Sequence, residues 1–595
     1  MLSFNSRDIK YKKPFGAVTV GQQIKISFPT PDAFIHATVT MILRHGNDNQ
    51  KYQMILDRHK KTFVLKFQVD MPGVYFYRFE IEDENGIKYV GRDEQGSAII
   101  GEWLPEWQLS VYEKNYKTPD WLKGGLIYHI FADRFARVDD EKLPRFGRLK
   151  SWYEDLTIAD WDGVYRANDF YGGNIKGIIS KLDYLAELSI NAIYLSPVYK
   201  SSSNHRYDVG DYMTVDPLFG DEDEFVDLVC ECKKRGIYVI MDGVFNHTGA
   251  DSIYFNKFGH YDEIGAYQSK NSKYYDWYSF EEFPDKYACW WGITVVPSIR
   301  RDSTSFRQFI AGDNGVIEKW TKLGVQGWRL DVVDELSSDF VKEIRTKIKS
   351  LAKDVAVIGE VWEDASTKVS YSEEREYFYG RELDGVMNYP FCRAIIEYIL
   401  NSDAMKFKNE VMDIMENYPA HALECCMTII GTHDTTRIIN VLSETKPSTD
   451  KVMRLGYRLN YNEYKLGLAR VKLASVMQYF LPGVPVIYYG DEIGMQGFDD
   501  PINRRPMVFG NESELLSHYI KLGKLRKENR ADFKGGLLIN IREDGMIELL
   551  RGALVAYINP TTEEILLPVA TYDILEDRTI CSILPLSAIV TKTHE

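Results

Sequence analysis

Residues Gly327 to Glu335 read GWRLDVVDE, an apolar, strand-like run that ends in carboxylates. Three other stretches share this form: DGVFNH from Asp242 to His247, GEVWED from Gly359 to Asp364, and GTHD from Gly431 to Asp434. Asp331, Glu360 and Asp434 therefore stand at the ends of three different predicted strands. Parallel strands closed into a barrel bring their carboxyl-terminal ends to one face, where groups far apart in sequence can meet on one substrate atom.

Working outward, strand-like and helical patterns alternate from Leu126 to about Pro506. They run LIYHIFADRF, KGIISKLDYLAEL, NAIYLSPV, EFVDLVCECKKRG and IYVIMDGVF, and the strands VQGWRLDVV, VAVIGEVW, DGVMNYPF, MTIIGTHD and VPVIYYGDE follow. Strand and helix in alternation imply a parallel sheet. Eight such strands predict an α/β fold, a (β/α)8 TIM barrel, over residues 119–531, with an aromatic-rich insertion at about 248–314 after the third strand. Residues 1–118 alternate apolar and polar positions in short runs such as TFVLKFQVD and VYFYRFEIED, which predicts an N-terminal β-sandwich. Short alternating runs return in LLINIRE, ALVAYIN and SAIVTKT, so a small C-terminal β domain is expected over 532–595.

Composition narrows the function. The chain has 595 residues, a formal charge of −15, 45% hydrophobic and 27% charged residues. That length asks for more than one core, since single cores stop growing near roughly 250–300 residues. The acidic balance argues against a nucleic-acid partner, because phosphate binding needs clustered Lys and Arg. The seven cysteines lack metal-ligand spacing and suit reduced thiols. The first residues, MLSFNSRDIKYKK, hold no apolar signal core, and no apolar run of about 18 residues occurs, so no membrane association and a cytoplasmic location are expected. The 39 tyrosines and 11 tryptophans suit either core packing or stacking on sugar rings.

Retaining glycoside hydrolysis needs two carboxyl groups about 5 Å apart, one ionised to attack and one protonated to donate. Asp331 and Glu360 are the candidates. Arg329 precedes Asp331 by two positions, so on a strand both point to the same face and the guanidinium is expected to keep Asp331 ionised. Glu360 follows the apolar run VAVIG, and apolar surroundings with nearby carboxylates are expected to hold its proton. A single strand-end Asp or Glu serves equally as a helix cap or as half of a surface ion pair; four ordered segments point to a site. His247 and His433 match no zinc spacing and no HExxH pattern, which leaves hydrogen bonds to sugar hydroxyls or a place in a core.

These four segments, in this order, resemble the signature regions of the α-amylase family of glycoside hydrolases, and within it the neopullulanase, cyclomaltodextrinase and maltogenic amylase group. FADRF (131–135), YGGNIKGI (171–178), NHRYDVGDYMTVDPLFG (204–220), CWWG (289–292), PGVPVIYYGDEIG (482–494) and DPINRRPM (500–507) extend the resemblance. It covers Trp121 to Met507 strongly. Carried over, it implies that Asp331 is the nucleophile, Glu360 the general acid/base, and Asp434 a carboxylate that grips sugar hydroxyls. It further implies that Arg329 orients Asp331, that Tyr207 stacks on the sugar, and that Asp242, His247 and His433 hydrogen-bond around it, with Trp362, Asp500 and Arg504 lining the pocket. For Tyr207 and Trp362, a packing role beside the pocket is the other reading.

The implied reaction is hydrolysis of α-1,4-glucosidic bonds, with α-1,6 bonds as a further target, in maltodextrins, cyclodextrins or pullulan through a covalent glucosyl-Asp331 intermediate. The same residues would serve an α-glucan transglycosylase, and a non-catalytic glucan-binding protein is opposed by the complete carboxylate set. The resemblance also implies a homodimer formed through the N-terminal domain. Three departures stand out. Where the group often carries Asn-Gly after the first strand, contributing ligands to a calcium ion, this chain reads Arg137-Val138; a cation there repels calcium, so no metal and no cofactor are expected, with a calcium ion as the alternative. Thr436 replaces a Glu common in the fourth segment. VVPSIR (295–300) replaces a stretch that often ends in Asn.

Overall fold

The computed structural model of the chain describes residues 2–29, 31, 34–138, 142–159, 164–446, 448–510 and 512–593. Its contacts group into two units: Met1–Thr118 with Glu363–Asp384 and Met405–Leu423, and Pro119–Trp362 with Gly385–Ala404 and Glu424–Glu595.

The first unit is built on two sheets, one of four strands and one of seven. Alternation explains them. Strand Gly73–Asp83 buries every second residue from Gly73 to Ile81, the signature of a sheet with one face on the core. Phe4, Phe28, Tyr77, Phe79 and Trp107 fill the space between, with Phe4 edge-on to both Phe79 and Trp107 at 5.2 Å. Two segments from later in the chain belong to this unit. Asp413, from one of them, receives Arg7 and Arg92 at 2.7 and 2.8 Å.

The second unit holds the barrel. Its eight strands are β1 (Ile127–Ile130), β2 (Ala192–Leu195), β3 (Tyr238–Gly243), β4 (Gly327–Leu330), β5 (Ala356–Gly359), β6 (Gly385–Val386), β7 (Met427–Ile429) and β8 (Val484–Tyr488). All pair in parallel, with β8 returning to β1. A single parallel bridge, Met387 to Met427, joins β6 to β7 and nearly closes the ring. Each expected strand is present. Every residue of β1, β2, β4 and β5 is buried, because helices cover one side of a parallel barrel and packed side chains fill the other.

The insertion after β3 carries little regular structure apart from a short hairpin and the helix Thr304–Ala311. Its aromatics mostly pack on each other: Tyr254, Trp277, Phe306 and Phe309 form one cluster with centroids about 5 Å apart. The C-terminal strands form a four-stranded antiparallel sheet, with the hairpin Ile565–Asp573 and Arg578–Ile583 beside it.

The backbone ladder continues one residue past two barrel strands. Asp331 N–H donates to Gly243 O at 3.1 Å, and Glu360 N–H donates to Leu330 O at 3.0 Å. Both carboxylates are thus fixed by the sheet rather than by a loop. The chain then leaves β4 through Val332, at φ 38° and ψ 51°, a left-handed conformation in which a β-branched residue is strained. Glu492, in the turn Asp491–Ile493 after β8, is fully buried. Its Oε1 accepts hydrogen bonds from Tyr128 of β1 at 2.7 Å and from Tyr184 at 2.6 Å. Burial pushes its carboxyl up to about 7, opposed by these two donors.

Two stability measurements test this description. At position 332, Gly is expected to be more stable than Ala by about 1 kcal/mol in urea unfolding, the strain a side chain suffers in the left-handed region; equal stabilities would contradict the strain. For Glu492 the raised folded value means stability is fully present below the unfolded value near 4.5 and is lost as pH rises toward 7. Relative to the wild-type chain, Glu492→Gln should therefore gain roughly 3 kcal/mol between pH 4 and pH 8. A mutant-to-wild-type difference that stays flat with pH would refute it.

Candidate active site

Strand register brings the first charged groups together. Arg329 on β4 lies directly opposite Asp242 on β3, and its Nη1 donates to both Asp242 oxygens at 2.8 and 3.1 Å. The same Nη1 donates to Asp331 Oδ1 at 2.7 Å. Nη2 sits 2.9 Å from Glu360 Oε2 as an ion pair. One fully buried guanidinium therefore holds three carboxylates from β3 and from the ends of β4 and β5.

Glu360 is held at both oxygens. Oε2 accepts the Val332 N–H at 2.9 Å, presented by the left-handed turn after Asp331. Oε1 accepts the indole N–H of Trp362 at 3.2 Å. Trp362 in turn stacks on Tyr389, with centroids 3.9 Å apart, and is 41% exposed. Asp242 also accepts hydroxyl donation from Tyr194 of β2 at 2.6 Å and from Tyr207 at 2.8 Å. Tyr207 lies flat against His433, with rings 5.2 Å apart and 6° from parallel.

The end of β7 supplies His433 and Asp434, whose Nε2 and Oδ2 lie 3.2 Å apart. Arg504, from the segment after β8, reaches Asp434 Oδ1 at 3.3 Å and Asp500 at 2.8 Å, and its Nε donates to the His433 carbonyl at 2.9 Å. His247 is buried beside Trp290, with centroids 5.4 Å apart. All eleven positions singled out from the sequence thus lie at the carboxyl-terminal ends of the barrel strands or in the loops that follow them.

The electrostatics correct two expectations. Asp331 was expected to be ionised by Arg329. Burial instead pushes its carboxyl well above the usual range, Arg329 opposes this, and Glu360 and Asp242 add to it with their own negative charge. Glu360 was expected to sit among apolar neighbours with carboxylates nearby, and only the carboxylates are found. Its nearest partners are a guanidinium, a backbone N–H and an indole N–H. Three carboxylates on one guanidinium leave an excess of negative charge, and burial raises both Asp331 and Asp242.

Asp434 is likewise raised to about 7, by burial first and by Glu360 second, with Arg504 opposing. A third of its side chain remains open to solvent, which moderates the effect of burial. Burial drives His247 down to about 4 and His433 well below its ordinary value, so both imidazoles are neutral near pH 7. Neutral imidazoles can donate to or accept from hydroxyl groups without adding charge.

The geometry also recruits residues that the sequence motifs did not single out. Tyr194, Val332 and Tyr389 each touch a predicted site residue. Trp290 lay within the quoted CWWG, and His205, whose Nδ1 accepts the Tyr207 N–H at 3.0 Å, lay within NHRYD. Only strand register or backbone conformation reveals the first three. At the position where calcium ligands were considered, Arg137 Nη1 donates to the Tyr171 carbonyl at 3.1 Å. A guanidinium on that oxygen does not fit a bound calcium ion. Among the described residues, no group of three or more His, Cys, Asp or Glu side chains is placed to hold a metal.

Comparison with known proteins agrees with this architecture. The model of the α-amylase catalytic domain matches residues 129–298 and 279–534. The chain is 32% identical over 603 residues to an amylopullulanase of Thermoanaerobacter thermohydrosulfuricus, a match covering 90% of this chain but only 39% of that relative's length. It is 33% identical over 512 residues to a cyclomaltodextrinase of Thermoanaerobacter pseudethanolicus, covering 82% of this chain and 77% of the relative. Among solved structures, a cyclic alpha-maltosyl-(1→6)-maltose hydrolase from Arthrobacter globiformis superposes with a TM-score of 0.66 at 25% identity, over 80% of this chain and all of that one. With the barrel matched along its length and relatives of this kind spanning most of the chain, the protein belongs to the α-amylase family of glycoside hydrolases.

Proposed function

We propose that the protein is a retaining glycosidase that cleaves α-1,4-glucosidic bonds in maltodextrins, cyclodextrins or pullulan, with α-1,6 bonds as a further target. The observation that carries this reading is the single guanidinium of Arg329 that ties Asp331 and Glu360 together. Carboxyl groups gathered on one side chain favour the roughly 5 Å separation of retaining enzymes over the roughly 6.5–9.5 Å of inverting ones. Amylopullulanase and cyclomaltodextrinase relatives support an α-glucan substrate.

In this reading, Asp331 attacks the anomeric carbon while Glu360 gives its proton to the departing glycosidic oxygen. The reactive arrangement therefore has the cluster's proton on Glu360 and Asp331 ionised, with Arg329 against the attacking oxygen. Water then attacks the glucosyl-Asp331 ester, Glu360 takes its proton back, and the ester electrons return to Asp331. Asp434 and the neutral His247 and His433 hold the hydroxyls of the sugar, and Tyr207, fixed flat against His433, gives that ring a face to rest on. Asp500 and Arg504 bind further along the cleft. The chemistry proposed needs no metal. From the family resemblance we also infer a homodimer formed through the N-terminal domain and a cytoplasmic location; a solution mass of 68.8 kDa would exclude the dimer.

Mutation and product analysis test the chemistry. Asp331→Asn and Glu360→Gln are each expected to lower turnover of γ-cyclodextrin, pullulan and maltotriose about a thousandfold, since nucleophilic and acid catalysis fail separately. Proton NMR of the first products should show the α-anomer before mutarotation. Normal activity in either variant, or an initial β-anomer, would overturn the reading. Longer oligosaccharides dominating at high maltose would assign the same residues to a transglycosylase.

A further inference from the structure

Glu360 is held at both carboxyl oxygens, and the two are not equivalent. Oε2 faces inward, with the Val332 N–H at 2.9 Å and the Arg329 Nη2 at 2.9 Å. A proton on that oxygen would point at a donor or a cation. Among the described residues, Oε1 has one hydrogen-bond partner, the Trp362 indole N–H at 3.2 Å, and Trp362 stands at the half-open edge of the site. The proton that leaves and returns must therefore travel on Oε1.

We propose that Trp362 is a positioning residue for proton transfer, its indole N–H holding Glu360 Oε1 in place and favouring the carboxylate that waits for water in the second half of the reaction. This rests on the reading of Glu360 as the acid/base. An indole nitrogen can only donate. It bonds well to the carboxylate and poorly to the hydroxyl side of a protonated carboxyl, so the contact tightens when the proton has gone and loosens when it returns. In the first step, the Oε1–H bond breaks as the glycosidic oxygen takes that proton, together with the electron pair of its bond to the anomeric carbon. In the second, water loses its proton to Oε1 as its oxygen bonds to that carbon and the Asp331 ester opens. Trp362 is held for this task by its stack on Tyr389 and by its carbonyl, which accepts from Arg393 at 2.8 Å.

Other groups also face Glu360: Arg329 and Asp331 from the β4 end, Asp242 from β3 through Arg329, Tyr389 after β6, and Asp434 after β7. All of them remain when Trp362 becomes Phe. That substitution keeps an aromatic ring on Tyr389 while removing the N–H along with part of the bicycle, so the titration readouts, which a smaller ring alone would not move, separate the hydrogen bond from the stack.

The test is the pH dependence of kcat/KM for Trp362→Phe on maltotriose, set beside the wild-type enzyme and Glu360→Gln. Loss of one donor to a charged acceptor should move the alkaline limb upward by about half to one pH unit, with kcat falling more than KM rises. In addition, one indole N–H resonance of the wild-type protein, identified by its absence in Trp362→Phe, should titrate with the midpoint of that limb and cease to titrate in Glu360→Gln. A pH profile that superimposes on wild type, with only KM raised, would reduce Trp362 to a sugar-stacking platform and overturn the inference. An indole resonance that does not titrate in the wild-type protein would do the same, even if Trp362→Phe were inactive. Either result, with Glu360→Gln still inactive, would leave the assignment of Glu360 intact; an active Glu360→Gln would instead remove the assignment beneath it.

Discussion

The site depends on one buried cation. Arg329 has no exposed surface, and three carboxylates from adjacent strand ends converge on it. Removing a buried guanidinium would leave its partners as uncompensated charges, a change that typically costs about 3–5 kcal/mol. The parallel register makes the arrangement affordable, because Arg329 and Asp242 are cross-strand neighbours before any side chain chooses a rotamer. Asp331 and Glu360 follow from the same ladder, each hydrogen-bonded by its backbone to the preceding strand. A charged cluster that would be difficult to hold on loops is held here by the sheet.

Much of this was legible in the sequence because it is periodic. The eight barrel strands are continuous apolar runs with polar ends, and that pattern identifies both the strand and the end that carries chemistry. Asp331, Glu360 and Asp434 could be found for that reason, and Arg329 because a two-residue spacing on a strand shares a face. The protonation pattern was not legible. It depends first on burial and then on how many carboxylates share one cation, a number set by the register of β3 against β4. Glu360 looked apolar in sequence because VAVIG precedes it, whereas its carboxylate points back to Arg329 and the Val332 N–H.

Val332 marks a second limit of sequence reading. Nothing in RLDVVDE announces a left-handed backbone at a β-branched residue, and local propensity argues against it. The conformation persists because the turn must lead from Asp331 into the short helical turn Val333–Glu335 while delivering an N–H to Glu360. Strain of this kind gathers where the surrounding structure over-determines the chain. The aromatic insertion after β3 teaches the reverse lesson. A loop of this length after a barrel strand ordinarily shapes a cleft, yet Tyr254, Trp277, Phe306 and Phe309 chiefly pack on one another, while Trp290 packs beside His247.

The surplus of negative charge has a consequence for the proposed chemistry. In the free protein, burial is the first cause of the raised values at Asp331, Asp242 and Asp434, and repulsion between carboxylates adds to it at Asp331 and Asp434, where Glu360 contributes. When the glycosidic bond breaks, positive charge develops on the sugar ring. The same carboxylates then attract it, in surroundings from which water is largely excluded and where oriented charges act strongly. An interaction that is unfavourable before the reaction and favourable at its summit lowers the barrier rather than merely tightening binding. Arg329 sets the scale of this effect. A second cation on the cluster would quiet the carboxylates and weaken their hold on the developing charge, and with no cation the carboxylates would take up protons and lose the nucleophile. One guanidinium for three carboxylates keeps the site between those limits.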